Sequence, residues 1–539
     1  MLAAMLLIAI VFFLVVYRFY GRFMAAVYEL DKDKKTPAEE INDGVDYCPA
    51  HPAVLTGHHF ASIAGAGPIV GPIAAAALFG WLPAFIWCLI GAAFLGGVHD
   101  MGAVASSIRH GGKSVGEVVN RWMGGRAKKL FLCFTWLALV LVLAVFLELS
   151  AKTMAGSPAV AFSATLYIVL ALVFGVLLYK CHVPLWVMTI IMVPIVLGAV
   201  WYGLSAAWVQ TVFAHSVDTW RFVLAGYIFV ASVLPVWLLL QPRDYLASYM
   251  LYFALIIGFI GMVFGAGRFE ITLPAFKGFN PADAEYLWPS LFILVACGAI
   301  SGFHSLVASG TTSKQIRKET DAKLIGYGSM LLEGVLAVMA IGTVMMAGDA
   351  VATQPVATFS EGFGKFASLV GIRPEVGVAL GALAINSFLL TTLDTATRLG
   401  RYQLQELTNM KADRYTATII GVAVALALLY IRSGEKAAWQ LIWPIFGASN
   451  QLVAALALMG VGVWVAKGLK KGTLFLMVPA GFMMVTTFVG LLLLIKTNLA
   501  SGNYLLVVVG VVLLVLAGVL IREAVAALRR TEPPEPVAE

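Results

Sequence analysis

LTGHHFASIAGAGPIVGP, residues 55–72, lies in an apolar run that continues to about residue 80, yet it packs Gly65, Gly67, Pro68, Gly71 and Pro72 into eight positions. A bilayer-crossing helix cannot run unbroken through that cluster. Pro68 and Pro72 remove backbone donors and their rings collide with carbonyls one turn earlier, so peptide groups from Gly65 to Gly71 need partners outside the helix. A half-helix starting near Pro68 turns its positive N-terminal end toward an anionic group, and freed carbonyls around Gly65 suit a cation. Close packing with a simple kink is the plainer explanation of Gly and Pro in a span, but the density of the cluster favours a binding site. Substrate contacts are therefore assigned to Gly65, Ala66, Gly67 and Pro68, and to His58, His59 and Ser62. His58, Ser62 and Gly65 recur at helical spacing on one face, with His59 beside them.

The rest of the chain is of the same kind. Of its 539 residues, 61% are hydrophobic and 12% charged, about half the charge of a soluble globular protein. Long apolar runs without period-two alternation exclude an outer-membrane barrel and require an all-α polytopic membrane protein. Runs bounded by charge, Pro or Gly predict fifteen spans, near 2–20, 55–80, 82–108, 130–150, 161–179, 184–206, 222–240, 246–266, 290–309, 323–347, 375–398, 416–431, 438–466, 473–495 and 503–521. With the N-terminus outside, 24 of the 36 Lys and Arg fall on inner loops, nine on outer loops and three at inner helix ends. That asymmetry puts the C-terminus in the cytoplasm and accounts for the net charge of +7 without a nucleic-acid partner. The tail TEPPEPVAE, 531–539, reads as disordered.

ATP-driven machinery is excluded. The longest loop, 21–54, is too short for a nucleotide-binding domain, and GGKS at 111–114 has Ser107 where a phosphate loop needs Gly. HExxH, GxSxG and TVGYG are absent, which weighs against a zinc protease, a hydrolase and a selective potassium channel. Five scattered cysteines suggest neither a disulfide framework nor a zinc site, and no cofactor or metal is expected. No Lys or Arg precedes Arg18, so the first apolar run reads as a retained helix rather than a secretory signal. A secondary transporter is the leading class. The alternatives are an uncoupled channel and a membrane enzyme using Asp100, His99 and Glu333 with a metal.

SVLPVWLLLQPRDYL, residues 232–246, puts Pro235 inside a predicted span and Pro242 at its end, five helices after the first interruption. That spacing predicts two five-helix units of inverted topology, 55–206 and 222–398. They are flanked by an N-terminal helix and loop (1–54), accessory helices (416–521) and a tail (522–539). Such a repeat places a site at mid-membrane. Two further spans carry polar stripes facing inward: Ser301, His304, Ser305, Ser309 and Thr312 on one, Ser387, Thr391, Asp394, Thr395 and Arg398 on the other. Glu333 lies deepest and serves equally well as a proton carrier or as a structural acceptor. Asp394 and Arg398 read as an i,i+4 pair fixing a helix end or gate, with Arg243 and Asp244 as further gating residues. Ser301, His304, Ser305, Asp100, Glu333 and Asp394 are the candidates for ion or proton coupling, and His304 and Ser305 also for substrate.

The blocks NDGVDYCP (42–49), GHHFASIAGAGPIVGP (57–72), SVLPVWLLLQPRDYL (232–246), SGFHSLVASGTTSKQI (301–316), TTLDTATRLGRYQLQE (391–406) and WPIFGASNQLVAALAL (443–458) closely resemble the carbon starvation protein A family. The resemblance extends over nearly the whole chain. It implies a bacterial inner-membrane importer induced by carbon limitation, with peptide or pyruvate as substrate and H+ or Na+ as coupling ion. It further implies the amino acid-polyamine-organocation superfamily, whose five-plus-five inverted-repeat (LeuT-like) core with discontinuous helices matches the repeat inferred from Pro spacing. By that analogy the first broken helix and the span with Ser301, His304 and Ser305 neighbour the cation, and Asn450 and Gln451 lie outside the core as scaffold. Oligomeric state is not assigned.

Overall fold

A computed structural model of the chain describes residues 1–44, 46–265, 267–281, 286–347, 354–430 and 438–529. The tail expected at 531–539 lies outside the described residues. The described chain is built of helices. It opens with α1 (Leu2–Val27) and the short α2 (Pro37–Ile41), followed by the broken pair α3 (Pro52–Ile63) and α4 (Gly67–Phe79). Next, α5 (Trp81–Gly91) and α6 (Gly97–Arg109) run as one span through a π-helical turn at Ala92–Gly96. The amphipathic α7 (Val115–Met123) leads to the long α8 (Gly125–Gly156), then α9 (Pro158–Tyr179), α10 (Leu185–Ser205), α11 (Ala207–Val212), α12 (Val217–Val233) and α13 (Leu240–Phe264). A second broken pair follows, α14 (Leu287–Leu294) and α15 (Gly302–Gly310). Beyond it lie α16 (Ser329–Met345), entered by a π-helical turn at Lys323–Gly328, α17 (Pro355–Ser368) and the long α18 (Pro374–Leu407). The chain closes with α19 (Arg414–Leu429), α20 (Ala438–Lys467), α21 (Leu474–Ala500) and α22 (Tyr504–Arg529).

Local chemistry sets several of these starts. Pro52 opens α3 behind His51, whose ring accepts the Ala53 amide at 3.2 Å. Asp413 caps α19 by accepting the Thr416 amide at 2.6 Å. That anion at a helix N-terminus, with the Thr416 bonds foremost, holds the Asp413 carboxyl below the usual carboxylate range.

Among the described residues, eleven helices are long and apolar enough to cross a membrane, and the α3–α4 pair, bent by 43°, makes a twelfth span. The chain is thus a multi-pass membrane protein. Three of the fifteen expected spans are not among these twelve. Two are short helices, α12 of 17 residues and α19 of 16. The third, expected as one helix over 290–309, is interrupted between Leu294 and Gly302. Pro235 also differs from expectation: it lies in the connection between α12 and α13, where a missing donor costs nothing, and not inside a span.

The two broken pairs pack into one another. A Cβ on Gly67 would stand 2.3 Å from the Cys297 Cβ, and one on Gly71 would stand 2.3 Å from the Leu294 carbonyl oxygen, so only glycine allows this approach. Around that contact α4 lies on α16 and α15 lies on α6; α13 packs on α3 and α18, and α20 on α15 and α8. Helices α12 and α19 each touch α8, α18 and one another. Helices α18 and α20 are almost wholly enclosed, whereas α1, α10, α21 and α22 turn most of their apolar surface outward.

Candidate transport site

Proline chemistry accounts for the first break. Helix α3 ends at Ile63, α4 starts at Gly67 with Pro68 in its first turn, and Ala64, Gly65 and Ala66 join them. Among the described residues the Ala64 and Gly65 carbonyls accept no hydrogen bond. The Ser62 carbonyl accepts the Thr392 hydroxyl of α18 at 3.2 Å, while the buried Ser62 hydroxyl has no partner. The second break, Val295 to Ser301, contains no proline; Gly298 sits there at φ 85°, within 3.4 Å of Pro68 as measured from an added Cβ. Its Cys297, Gly298 and Ala299 carbonyls also accept no hydrogen bond among the described residues. Two unwound segments with bare carbonyls therefore abut inside the protein.

An ionisable ladder stands beside the second break. Asp100 receives His99 Nδ1 on one oxygen at 2.8 Å and His304 Nδ1 on the other at 2.9 Å. The far nitrogen of His304 faces Glu333 Oε2 at 3.3 Å, without hydrogen-bond alignment, and Glu333 Oε1 accepts the Gly298 amide at 3.0 Å. Every member is buried. The sequence candidates Asp100, His304 and Glu333 are thereby brought together, and Glu333 joins the ladder to the backbone of the break. Ser301 bonds to Asn450, whose oxygen also accepts the Phe303 amide at 2.8 Å. Asn450 was expected as scaffold outside the core; it caps α15 at the second break. Ser305 is turned back onto its own helix, donating to the Gly302 carbonyl at 2.7 Å. The polar stripe ends early as well, because α15 spans only Gly302–Gly310 and leaves Ser301 and Thr312 outside regular α-helix.

The other histidines belong to different partners. His59 meets the Thr312 hydroxyl at 2.8 Å through Nδ1 and leaves Nε2 buried without a partner. His58 bonds to Asp244 at 2.6 Å, which opens a second network. Arg243 donates to Asp244 at 2.7 Å and to the Tyr227 hydroxyl at 2.9 Å, and pairs with Asp394, which accepts from Tyr227 at 2.6 Å. Asp394 is paired with Arg243 and not with Arg398 as the i,i+4 spacing suggested. Arg398 instead donates to the carbonyls of Ala231, in the last turn of α12, and Leu234, just beyond it. A cross-helix guanidinium in hydrogen-bonding contact outcompetes a pairing along the helix surface, which is worth only ~0.2–0.5 kcal/mol. Sequence reasoning missed Tyr227, Thr392 and Asn386; Asn386 is buried with both amide atoms unpartnered, and an amide side chain inside an apolar run was the available signal.

At one end of the bundle the 46–51 segment bonds to several helices. Asp46 accepts from Tyr402, Tyr47 donates to the Gly111 carbonyl at 3.0 Å, and the Cys48 and Ala50 amides donate to Lys314 and Gln315 at 3.2 and 2.9 Å. Beside it opens a cavity of about 1180 Å³ lined by Lys113, Glu117, Lys128, Lys314 and Glu406, and by Leu306 and Leu399. Burial pushes the Lys314 ammonium down against the opposing pull of Asp46, Glu406 and Asp43. Burial, with Asp43 and Asp46 adding to it, pushes the Cys48 thiol up to about 11. Among the described residues no group of three His, Cys, Asp or Glu is disposed to hold a metal ion.

The family model of carbon starvation protein CstA matches residues 2–353 and 343–490. The peptide transporter CstA of Campylobacter jejuni is 32% identical over 554 residues, covering 89% of this chain and 78% of its own. The Bacillus subtilis peptide transporter CstA is 34% identical over 541 residues, covering 88% and 87%. The pyruvate/proton symporter BtsT of Escherichia coli is 32% identical over 574 residues, covering 88% and 79%. Among solved structures, the Eremococcus coleocola manganese transporter in complex with an aromatic bis-isothiourea substituted compound aligns with a TM-score of 0.50 at 12% identity, over 91% of this chain and 99% of its own, a likeness of fold alone. The chain belongs to the carbon starvation protein CstA family.

Proposed function

We propose that this chain is a proton-coupled secondary transporter of the bacterial inner membrane that imports a small carboxylate-bearing nutrient, pyruvate or a short peptide. The observation that carries this reading is the pair of abutting breaks with the Asp100–His304–Glu333 ladder at their edge. The α4 N-terminus supplies positive backbone ends for a carboxylate, beside the unpartnered Ser62 hydroxyl and His59 nitrogen. Glu333 takes up or gives up the proton while touching the Gly298 amide, so that a change of charge alters the bond holding the second break. The Arg243–Asp394 network and the 46–51 segment act as the inner gate, and the cavity beside Lys314 is the exit vestibule. The names of the relatives support both substrates.

The helix packing favours a five-plus-five repeat with limits near 52–264 and 287–467 in place of the 55–206 and 222–398 suggested by Pro spacing. Each unit would hold a broken helix, a span with a π-helical turn, a short amphipathic helix, a very long helix and two more, with α9 and α10 inserted in the first. Fifteen crossings then result if α12, α14–α15 and α19 each traverse the bilayer, with the N-terminus outside and the C-terminus in the cytoplasm.

Counterflow tests the class and the substrate. Proteoliposomes preloaded with unlabelled pyruvate, or with a dipeptide, should transiently concentrate the labelled compound. A channel equilibrates label without overshoot, and absence of uptake of both compounds would remove the substrate assignment. Repeating uptake with sodium in place of a pH gradient separates the coupling ions, since the bare carbonyls at the two breaks suit Na+ as well.

A further inference from the structure

A groove of about 530 Å³ runs down the outside of the bundle between α1, α13 and α16. Its walls include Leu14 and Tyr17 of α1, Ile256 and Phe259 of α13, and Leu324 and Met339 from the π-turn and helix of α16. Leu14, Ile256 and Leu324 are 64%, 57% and 45% exposed, so the groove opens sideways into the region a bilayer fills. Thr56 of α3 also lines it, with its hydroxyl already donated to the Pro52 carbonyl at 2.8 Å. From Leu324 to Met339 the groove follows fifteen residues of helix, ~22 Å at ~1.5 Å each. One leaflet of a ~30 Å hydrocarbon core is shorter than that.

The cytoplasmic end of the groove is basic. Lys323 lies across α1 at Gly21, where an added Cβ would stand 2.9 Å from its Cε, and its ammonium rests 4.4 Å from the centre of the Tyr17 ring. The charges acting on Lys323 are two more cations, Arg22 and Arg18. None of the three has an ion-pair partner among the described residues. Three uncompensated cations at the mouth of an apolar groove, at the level of the headgroups, ask for a phosphate joined to a hydrocarbon chain.

We propose that this groove binds one anionic phospholipid from the cytoplasmic leaflet, its phosphate held by Arg18, Arg22 and Lys323 and one acyl chain lying between α1, α13 and α16. The occupant reaches Thr56, two residues before His58, so it touches the half-helix that leads to the first break.

The test uses the purified full chain and native mass spectrometry with phosphatidylglycerol and phosphatidylethanolamine of equal chain length. The wild-type protein should retain phosphatidylglycerol preferentially. The triple variant R18Q/R22Q/K323Q should bind it more weakly by a factor on the order of a hundred, while its hold on phosphatidylethanolamine changes little. Gly328→Leu should lower retention of both lipids by filling the groove, since its new Cβ meets nothing closer than 3.5 Å and the fold tolerates it. If the triple variant does not fold, Lys323→Gln alone carries the test, with a roughly fivefold loss. Equal retention of the two lipids by the wild type, or unchanged preference in the charge variants, overturns the proposal. A lipid-free homodimer that separates on Leu14→Trp overturns it too, by placing a second copy in the groove.

Discussion

Replacing Arg243 by Met removes the cation shared by two buried carboxylates. In the native chain its guanidinium meets Asp244 at 2.7 Å, Tyr227 at 2.9 Å and the Leu390 carbonyl at 3.3 Å, and pairs with Asp394; both carboxylates are inaccessible to water, and Tyr227 is half-buried. After the change Asp244 keeps His58 and Asp394 keeps only the Tyr227 hydroxyl. Each charge pair is worth ~4 kcal/mol gross at ~4 Å and an effective dielectric of ~20. Stranding one buried partner costs about 3–5 kcal/mol net. Asp394→Leu on its own strands less, because Arg243 still has Asp244. Combined with Arg243→Met, it removes the orphaned carboxylate and should recover on the order of 2 kcal/mol. Equilibrium unfolding in mixed micelles, followed by tryptophan fluorescence, gives all four corners of the cycle. Strict additivity within ~0.5 kcal/mol would show that Arg243 and Asp394 do not act as a pair, and the inner-gate network would lose its basis.

Other changes test the contacts separately. Gly71→Ala drives a Cβ to 2.3 Å from the Leu294 carbonyl oxygen and should cost ~1–3 kcal/mol with loss of counterflow; Gly198→Ala, exposed on α10 with nothing within 4 Å, should gain up to ~1 kcal/mol in the same unfolding assay. Asn450→Ala leaves the Phe303 amide buried without its acceptor and should lower stability by ~1–3 kcal/mol. Cys48, with its thiol pushed up to about 11, holds roughly one thiolate per thousand at pH 8. Its maleimide labelling should therefore rise about tenfold per pH unit toward pH 11, and a rate that levels off near pH 8 would contradict the burial of that loop.

The first break was legible because two prolines within five residues have few helical solutions, though it is narrower than Gly65 to Gly71: Ala64 to Ala66 unwind, Pro68 opens α4, and Pro72 is carried inside that helix. The second break was not, since Val295 to Ser301 breaks without proline, through Gly298 and an amide taken by Glu333 from another helix. Pro235 carried the opposite lesson: the same residue type that interrupts a span also sits at no cost in a connection. His304 and Glu333 were each picked out as polar groups inside apolar runs, but their meeting with Asp100 depends on helices far apart in sequence. The Asp394–Arg398 spacing suggested a local pair, and only packing shows Arg243 reaching Asp394 first. Ser305 looked like a ligand and satisfies its own helix.

In the proposed function Glu333, bonded to the unwound backbone at Gly298, couples proton entry to substrate movement. Pyruvate uptake into sodium-free proteoliposomes under an inward acid gradient of about one pH unit measures this directly, because one proton with one monoanion is electroneutral and the gradient supports roughly tenfold accumulation. The wild-type chain should reach that ratio, and Glu333→Gln should exchange label in counterflow yet accumulate none. Equal accumulation by Glu333→Gln and the wild type would contradict coupling through Glu333.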